Sequence, residues 1–272
     1  MKYKKLVLIF IFLGVLLVGC SVHAEISEGE MNRLRLGYED SRISIMSEAE
    51  KRNILDNYDL EHAIKDTKSF VGTLSGKNRG YIWREISNEE YDNLEIHPTK
   101  AGDIYETGGK QIKLVSINHG GTWDTYLHVN WKVIPVTRSF DVMGLRFQNV
   151  AYLDNSEYGF QFYRPAGSSQ MQSIGYSSNG TNIKKQYEGF GISMNLVNQN
   201  IVELETEIGA DAVISCAGPY IFGSYQHAVH NVSLAQSQDY NISSSGFGNV
   251  LNFSQRVMNY YDDMQGVHVQ LF

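Results

Sequence analysis

Residues 126–134 read Tyr-Leu-His-Val-Asn-Trp-Lys-Val-Ile, so apolar and polar side chains alternate along this run. Successive side chains of an extended strand point to opposite faces. One face therefore carries Leu127, Val129, Trp131 and Val133. The other face carries Tyr126, His128, Asn130 and Lys132. This division predicts a strand of an antiparallel sheet that packs on one side and meets water on the other. We expect Trp131 to be buried, with its indole N–H bonded to a backbone carbonyl.

The same period of two recurs in three further runs, residues 192–196, 202–208 and 267–271. The main turn signals between extended runs are Gly108-Gly109, His119-Gly120-Gly121, Asp154-Asn155-Ser156, Asn179-Gly180 and Ser245-Gly246. Asn179-Gly180 is a hairpin signal, because both residues tolerate a positive φ. Many short strands separated by turns favour a sandwich or a barrel. We therefore predict a mainly β domain over residues 67–272, built as an antiparallel β-sandwich or a flattened barrel.

Residues 20–66 differ in character, because they are polar, charged and compatible with helix. Three pairs have the spacing of a capping box: Ser27 with Glu30, Ser47 with Glu50, and Ser87 with Glu90. In such a box the two side chains satisfy each other's free backbone N–H groups at the start of a helix. The first two boxes predict short helices on a partly flexible polar tether that precedes the β domain. The third predicts a single-turn helix.

The composition limits the classes of partner. After the three lysines near the N-terminus, the chain has 20 basic and 30 acidic residues, a formal net charge of −10, and no basic run. Nucleic-acid binding depends on neutralising phosphates with Lys and Arg, so it is disfavoured. The two cysteines, Cys20 and Cys216, exclude a disulfide framework and a cysteine-rich zinc site. No second apolar run of about 18 residues occurs, so the sequence predicts no further membrane span.

The first 20 residues have the organisation of a signal peptide. Lys2, Lys4 and Lys5 are followed by an uncharged apolar run over residues 6–18 and then by Gly19-Cys20. The run is too short for a spanning helix, which needs about 20 apolar residues. Leu17-Val18-Gly19-Cys20 resembles the lipobox of bacterial lipoproteins. That resemblance implies cleavage of residues 1–19, a diacylglycerol (typically with palmitate) on Cys20, and a lipid anchor on the extracytoplasmic face of the cell membrane. The alternative is cleavage after Val22-His23-Ala24, which would release a soluble protein.

A candidate ligand-binding set follows the best strand. Trp131, Arg138 and Asp141 lie on either side of a bend marked by Pro135, and they could frame a pocket. The alternative is that Trp131 anchors the core while Arg138 pairs with Asp141 across the bend. Residues 131–141 are similar to stretches of uncharacterised secreted proteins of Gram-positive bacteria, a resemblance that implies no function.

Two clusters of possible metal ligands are weaker candidates. Glu203, Glu205 and Glu207 share one strand face, and carboxylates suit Ca²⁺. Alternate strand residues lie about 6.6–6.8 Å apart, so one ion could not be held by all three, and a solvated face is the alternative. His227 and His230, three apart on an extended run, would lie on opposite faces and make poor joint zinc ligands. The sequence predicts neither a metal nor a cofactor.

Cys216 is the one candidate nucleophile. A thiol hydrolase would need a nearby histidine such as His227 or His230 to activate it. The alternative is a small buried apolar cysteine, since Ala212, Ile214 and Cys216 fall on one strand face. No serine-nucleophile elbow, zinc-binding helix motif or phosphate-binding glycine loop occurs.

Together these observations predict a cell-surface lipoprotein that presents a non-catalytic β-sandwich module binding a protein or glycan partner. Two alternatives remain at this level. One is an envelope thiol hydrolase that uses Cys216, which an alkylating reagent would label if it were exposed and activated. The other is a structural or immunity lipoprotein that acts on another envelope protein.

Overall fold

The structure is a computed structural model that describes residues 25–74, 81–94, 107–244 and 250–272. The helices are α1 (Glu28–Gly37), α2 (Asp40–Ile45), α3 (Glu48–Asn57), α4 (Asn88–Asp92) and α5 (Leu234–Ser237), with a 3₁₀ turn over Met258–Tyr260. The strands are β1 (Ile64–Leu74), β2 (Tyr81–Ile86), β3 (Thr107–His119), β4 (Thr122–Trp131), β5 (Phe140–Gln148), β6 (Val150–Tyr152), β7 (Tyr158–Pro165), β8 (Gln172–Ser177), β9 (Ile183–Gln186), β10 (Gly189–Asn195), β11 (Ile201–Ile214), β12 (Tyr220–Gln226), β13 (Tyr240–Ile242), β14 (Leu251–Phe253) and β15 (Gln265–Gln270). The predicted fold class is confirmed: the chain is mainly β and antiparallel, with short helices at the start.

The strands form two main sheets. The large sheet has the order β2-β1-β3-β4-β11-β7-β8, and β6 also pairs with β11. The second sheet has the order β15-β12-β5-β10-β9, and β13 pairs with β14 in a separate hairpin. Every strand pair in the described part of the chain is antiparallel. Over the described residues the sheets face each other without closing into a barrel, so the sandwich alternative is the one that the chain adopts.

Each of the three serines caps its helix as predicted, and the reciprocal bond that completes a capping box is found at Ser27 with Glu30. The Ser27 hydroxyl accepts from the Glu30 backbone N–H at 3.3 Å, and the Glu30 carboxylate accepts from the Ser27 N–H at 2.8 Å. Ser47 and Ser87 likewise accept from the third helical N–H at the starts of α3 and α4. No helix in the described part of the chain is long and apolar enough to cross a membrane.

Two turns show what glycine signals can and cannot predict. Gly120 and Gly121, with φ of 65° and 93°, close the β3–β4 hairpin as expected. Asn179-Gly180 does not close a hairpin, because β8 pairs with β7 in the large sheet and β9 pairs with β10 in the second. This turn therefore carries the chain from one sheet to the other. Gly108-Gly109 lies inside β3 rather than in a turn, and Ser245-Gly246 falls outside the described residues.

The core lies between the two sheets. Leu127, Val129 and Trp131 of β4 are at most 3% exposed. They share one apolar cluster with residues of the second sheet such as Leu145 and Ile192. The predicted inward face of β4 is thus confirmed, and Trp131 is buried as expected.

Most of the other face of β4 is covered, and only Asn130 near the end of the strand is exposed among its residues from Tyr126 onward. Tyr126 is 1% exposed and His128 is 3% exposed, because α1, α2 and α3 pack on the outer side of the large sheet. Leu34 of α1 and Ile43 of α2 are buried in a cluster with Val115 of β3. Residues 28–57 are therefore a packed cover, which we call the helical layer, and not the partly flexible tether predicted for residues 20–66. Polar composition concealed the few apolar residues that attach these helices.

A second cover lies on the opposite side of the sandwich. Residues 228–244 and 250–264, which we call the C-terminal layer, pack on the outer face of the second sheet. Val232, Tyr240 and Leu251 of this layer share an apolar cluster with Val142 of β5 and Phe222 of β12. The described residues thus form four layers, with the two sheets between two different covers.

Candidate binding cleft

The structure brings two of the three predicted site residues together. Trp131 donates its indole N–H to the hydroxyl of Tyr225 at 3.1 Å, and not to a backbone carbonyl as expected. The Tyr225 hydroxyl in turn donates to the carboxylate of Asp141. Tyr225 is fully buried on β12, the strand next to β5, so it connects Trp131 to Asp141 through the core.

Arg138 lies apart from them. Its Nη1 donates to the backbone carbonyl of Val197 at 3.1 Å and to that of Gln199, both in the loop after β10. The expected pairing of Arg138 with Asp141 is therefore wrong. Asp141 lies on β5 and is 0% exposed, with its side chain directed into the core, whereas Arg138 precedes the strand and reaches along the surface.

Asp141 fixes the start of the C-terminal layer. Its carboxylate lies 2.9 Å from His227 Nδ1 and accepts the backbone N–H of Ala228 at 2.9 Å. The His227 ring packs edge-on against Trp131, with ring centroids 5.0 Å apart. A buried carboxylate is retained where several donors satisfy it. Asp141 therefore has a positioning role, holding the chain where it leaves β12.

A second buried carboxylate lies nearby. Asp262 Oδ2 accepts from Lys110 Nζ at 2.7 Å and from the Trp83 indole N–H at 2.7 Å, while its Oδ1 accepts the backbone N–H of His227 at 2.7 Å. Lys110 is 0% exposed, and its Nζ lies 4.1–5.2 Å from the ring centroids of Trp83, Trp131 and Tyr225. Burial lowers the pKa of Lys110, although the charge of Asp262 acts in the opposite direction.

Sequence analysis missed this pair. Lys110 follows Gly108-Gly109, which was predicted to be a turn, and Asp262 is 152 positions further along the chain. No local pattern relates them. The alternation around Lys110 could have placed its side chain on the same face as Ile112 and Leu114, which is the face that packs inward. A charged residue on an apolar strand face was the available signal.

An open cleft of about 790 Å³ lies over Asp262, between the C-terminal layer and the end of β12. Its described lining combines aromatic, amide and acidic side chains: Gln226, His230, Asn252, Phe253, Asn259, Tyr260, Tyr261, Asp262 and Asp263, with Leu251, Met258 and Met264. Tyr260 is half-buried. Its ring and the ring of the exposed His230 are in a T-shaped arrangement, with ring centroids 5.9 Å apart. Hydrogen-bonding groups therefore surround aromatic surface in one concave site.

The glutamates of the carboxylate row on β11 are paired with basic side chains. Glu207 is 0% exposed and Glu205 is largely covered, so the expected solvated face is wrong. His128 Nε2 lies 3.3 Å from Glu205 and its Nδ1 lies 3.3 Å from Glu207, while Arg42 Nε of α2 lies 3.8 Å from Glu207. Glu203 pairs instead with Arg164. Within the described residues, no group of three His, Cys, Asp or Glu side chains is arranged to hold a metal ion.

Cys216 is exposed, which corrects the expectation of a buried thiol. It lies after the end of β11 in a different cleft of about 960 Å³. Arg146, Asn149 and Tyr187 belong to the described lining of that cleft, which includes no histidine. His227 is engaged by Asp141, and His230 belongs to the first cleft, so neither candidate base accompanies the thiol.

Comparison with known proteins identifies no family. No family model matches the chain, and no curated protein matches it. Three solved structures have partial likeness at TM-scores of 0.27, 0.24 and 0.23. They are the KRT10-binding region domain of the pneumococcal serine rich repeat protein PsrP (10% identity, 60% of this chain and 86% of that chain), Clostridium perfringens delta-toxin (8% identity, 74% and 92%), and a pore forming protein (9% identity, 76% and 90%).

Proposed function

We propose that this chain is a surface lipoprotein whose C-terminal cleft binds a glycan without catalysing a reaction. The cleft carries this proposal, because it joins the exposed part of the Tyr260 ring to a border of amides and carboxylates. A sugar ring has one apolar face of C–H groups and a rim of hydroxyls. An aromatic ring complements the apolar face, and Asn252, Asn259 and Asp263 supply donors and acceptors for the hydroxyls.

The shape of the cleft favours a small saccharide over a folded protein. Its volume of about 790 Å³ is in the usual range for small-ligand sites, about 300–1,000 Å³. A stable protein interface instead buries about 800 Å² on each partner, over a broad surface. The acidic residues of the cleft, together with the formal net charge of −7 of the whole chain, favour a neutral or cationic glycan.

Anchoring through Cys20 is the second part of the proposal. The basic start, the apolar run and Gly19-Cys20 support it. One acyl chain binds a membrane only weakly, at about 0.8 kcal/mol per buried methylene, whereas two chains hold a protein stably. The lipid would keep the glycan-binding domain at the extracytoplasmic face of the cell membrane.

The hydrolase alternative has little support. Cys216 is exposed, but the described lining of its cleft offers no histidine to activate the thiol. A thiol hydrolase needs such a base beside its cysteine.

The test is a printed array of neutral oligosaccharides, probed with the protein and followed by calorimetry with a glycan that binds. We expect Tyr260→Ala to weaken binding at least about tenfold, or about 1.4 kcal/mol. Tyr187→Ala is the matched control, because Tyr187 is 96% exposed and lies at the other cleft. Equal binding by Tyr260→Ala and wild type, or loss only in Tyr187→Ala, would contradict the assignment. For the anchor, Cys20→Ala should leave the membrane fraction and lose fatty-acid label.

A further inference from the structure

We propose that Lys110 and Asp262 form a covalent side-chain amide, an isopeptide bond, that joins the large sheet to the C-terminal layer. The Lys110 amine nitrogen lies 2.7 Å from Asp262 Oδ2, so it also lies close to the carboxyl carbon to which that oxygen is bonded. The side chains of both residues are at most 1% exposed. This cross-link does not depend on what the cleft binds.

The reaction balances without an external reagent. One proton passes from the Lys110 ammonium to the Asp262 carboxylate, which gives a neutral amine and a carboxylic acid. The amine lone pair then attacks the carboxyl carbon, and the C–N bond forms as electrons move onto Oδ1. A proton moves from nitrogen to Oδ2, the bond from carbon to Oδ2 breaks, and one water molecule leaves. Nothing is oxidised or reduced.

The surroundings favour each of these steps. Burial lowers the pKa of Lys110, which makes the neutral nucleophile more accessible, even though the nearby aromatic rings favour the cation. The backbone N–H of His227 donates to Oδ1 at 2.7 Å, where negative charge develops during the attack. The Trp83 indole N–H donates to Oδ2 at 2.7 Å and fixes the orientation of the carboxylate.

Amide formation is disfavoured in water, and here the closeness of the two groups and their shielding from solvent both promote it. Groups held in a reactive geometry can have effective molarities of about 10⁵–10⁸ M. The rings of Trp83, Trp131 and Tyr225 surround the amine and shield it from solvent. Asp262 borders the open cleft, so the released water has a path out.

The bond would tie the C-terminal layer to the large sheet. Lys110 lies on β3, opposite Trp131 of β4 in the strand register, whereas Asp262 lies between the 3₁₀ turn and β15. The two positions are 152 residues apart. One bond would therefore close most of the sandwich into a covalent loop and hold the cleft in place after partial unfolding.

The test is tryptic peptide mapping of the purified full chain by mass spectrometry. We expect a branched peptide in which residues 101–113 are joined to residues 257–272, lighter by one water than the sum of the two. Trypsin cannot cut after a Lys110 that is part of an amide. Fragmentation should assign the link to Asp262 and not to its neighbour Asp263. Recovery of residues 101–110 as a free peptide, with an unlinked C-terminal peptide, would overturn the proposal.

Two variants sharpen the result. Asp262→Asn should give a branched peptide of the same mass as wild type, because the same amide forms with loss of ammonia instead of water. Lys110→Arg should abolish the branched peptide and release residues 101–110. Lys113→Arg, a control on the same strand, should leave the link intact. A branched peptide that persists in Lys110→Arg would locate the cross-link elsewhere and contradict the assignment.

Discussion

The helical layer and the C-terminal layer each cover one sheet, but they differ in the side chains that they enclose. Each covers the outer face of one sheet with apolar side chains. Under the helical layer, charged groups are enclosed at the interface itself, where His128 meets Glu205 and Glu207 below α2. Under the C-terminal layer, the contact is mainly an apolar cluster, and the buried carboxyl groups of Asp141 and Asp262 bind the backbone at the start of the layer.

This difference indicates that the two layers have different roles. The helical layer seals its polar groups, and the smaller cavity beside it, about 200 Å³, is lined by groups that already pair with one another, such as Tyr38 with Asp124. The C-terminal layer is held at its start by Asp141 and Asp262, and an open cleft lies over Asp262. We infer that the first cover stabilises the sandwich and that the second presents the binding site.

The largest expected effect comes from the sandwich centre on which both layers rest. Trp131→Ala should lower the free energy of unfolding by about 3–5 kcal/mol, because it removes a large buried ring and the donor to Tyr225. Chemical denaturation measures the change. Tyr187→Ala, at a 96% exposed site, should stay within about 0.5 kcal/mol of wild type. A Trp131→Ala protein as stable as wild type would return Trp131 to the ligand-binding candidates.

The helical layer can be tested within one helix. Leu34 of α1 is 0% exposed, whereas Leu36 is 43% exposed. Leu34→Ala should cost about 2–5 kcal/mol of unfolding free energy through lost burial and a cavity. Leu36→Ala should cost less than about 0.5 kcal/mol. Equally small effects of the two substitutions, measured in the same denaturation series, would contradict the packed helical layer. They would favour the flexible tether instead.

The charges under the helical layer predict a pH dependence. Burial alone would lower the pKa of His128, but its hydrogen bonds with Glu205 and Glu207 raise it from 6.5 to about 10. A raised folded-state pKa means that the protonated imidazole stabilises the fold. This contribution is complete below about pH 6.5 and is lost as the pH rises through about 10.

The measurement compares wild type with His128→Gln over that range of pH. The free energy of unfolding of wild type should fall further than that of the variant, by on the order of 1–3 kcal/mol. His230→Gln, at an exposed histidine, should follow wild type. Parallel pH profiles for wild type and His128→Gln would mean that the enclosed charges do not hold the helical layer.

Sequence periodicity predicted the sandwich because alternation identifies which side chains share a face. The inward faces of β4, β10 and β15 follow directly from it. Alternation does not identify what covers the opposite face, so His128 and Glu207 were expected to meet water. Trp131 and Asp141 stood out locally as an aromatic and a charged residue, but neither is among the residues that line the cleft. Lys110 and Asp262 were missed, since only the tertiary fold brings residues 152 positions apart together.

The position of α1 determines how far the domain can move from its proposed anchor. Because α1 begins at Glu28, eight residues after Cys20, the connecting chain spans at most about 29 Å at about 3.6 Å per residue. A lipid on Cys20 would therefore hold the helical layer close to the bilayer, because the connecting segment is short. Most of the residues that line the cleft belong to the C-terminal layer, which covers the sheet on the side away from the helical layer. The access of the cleft to glycans would then be limited by the thickness of the domain and not by the reach of a linker.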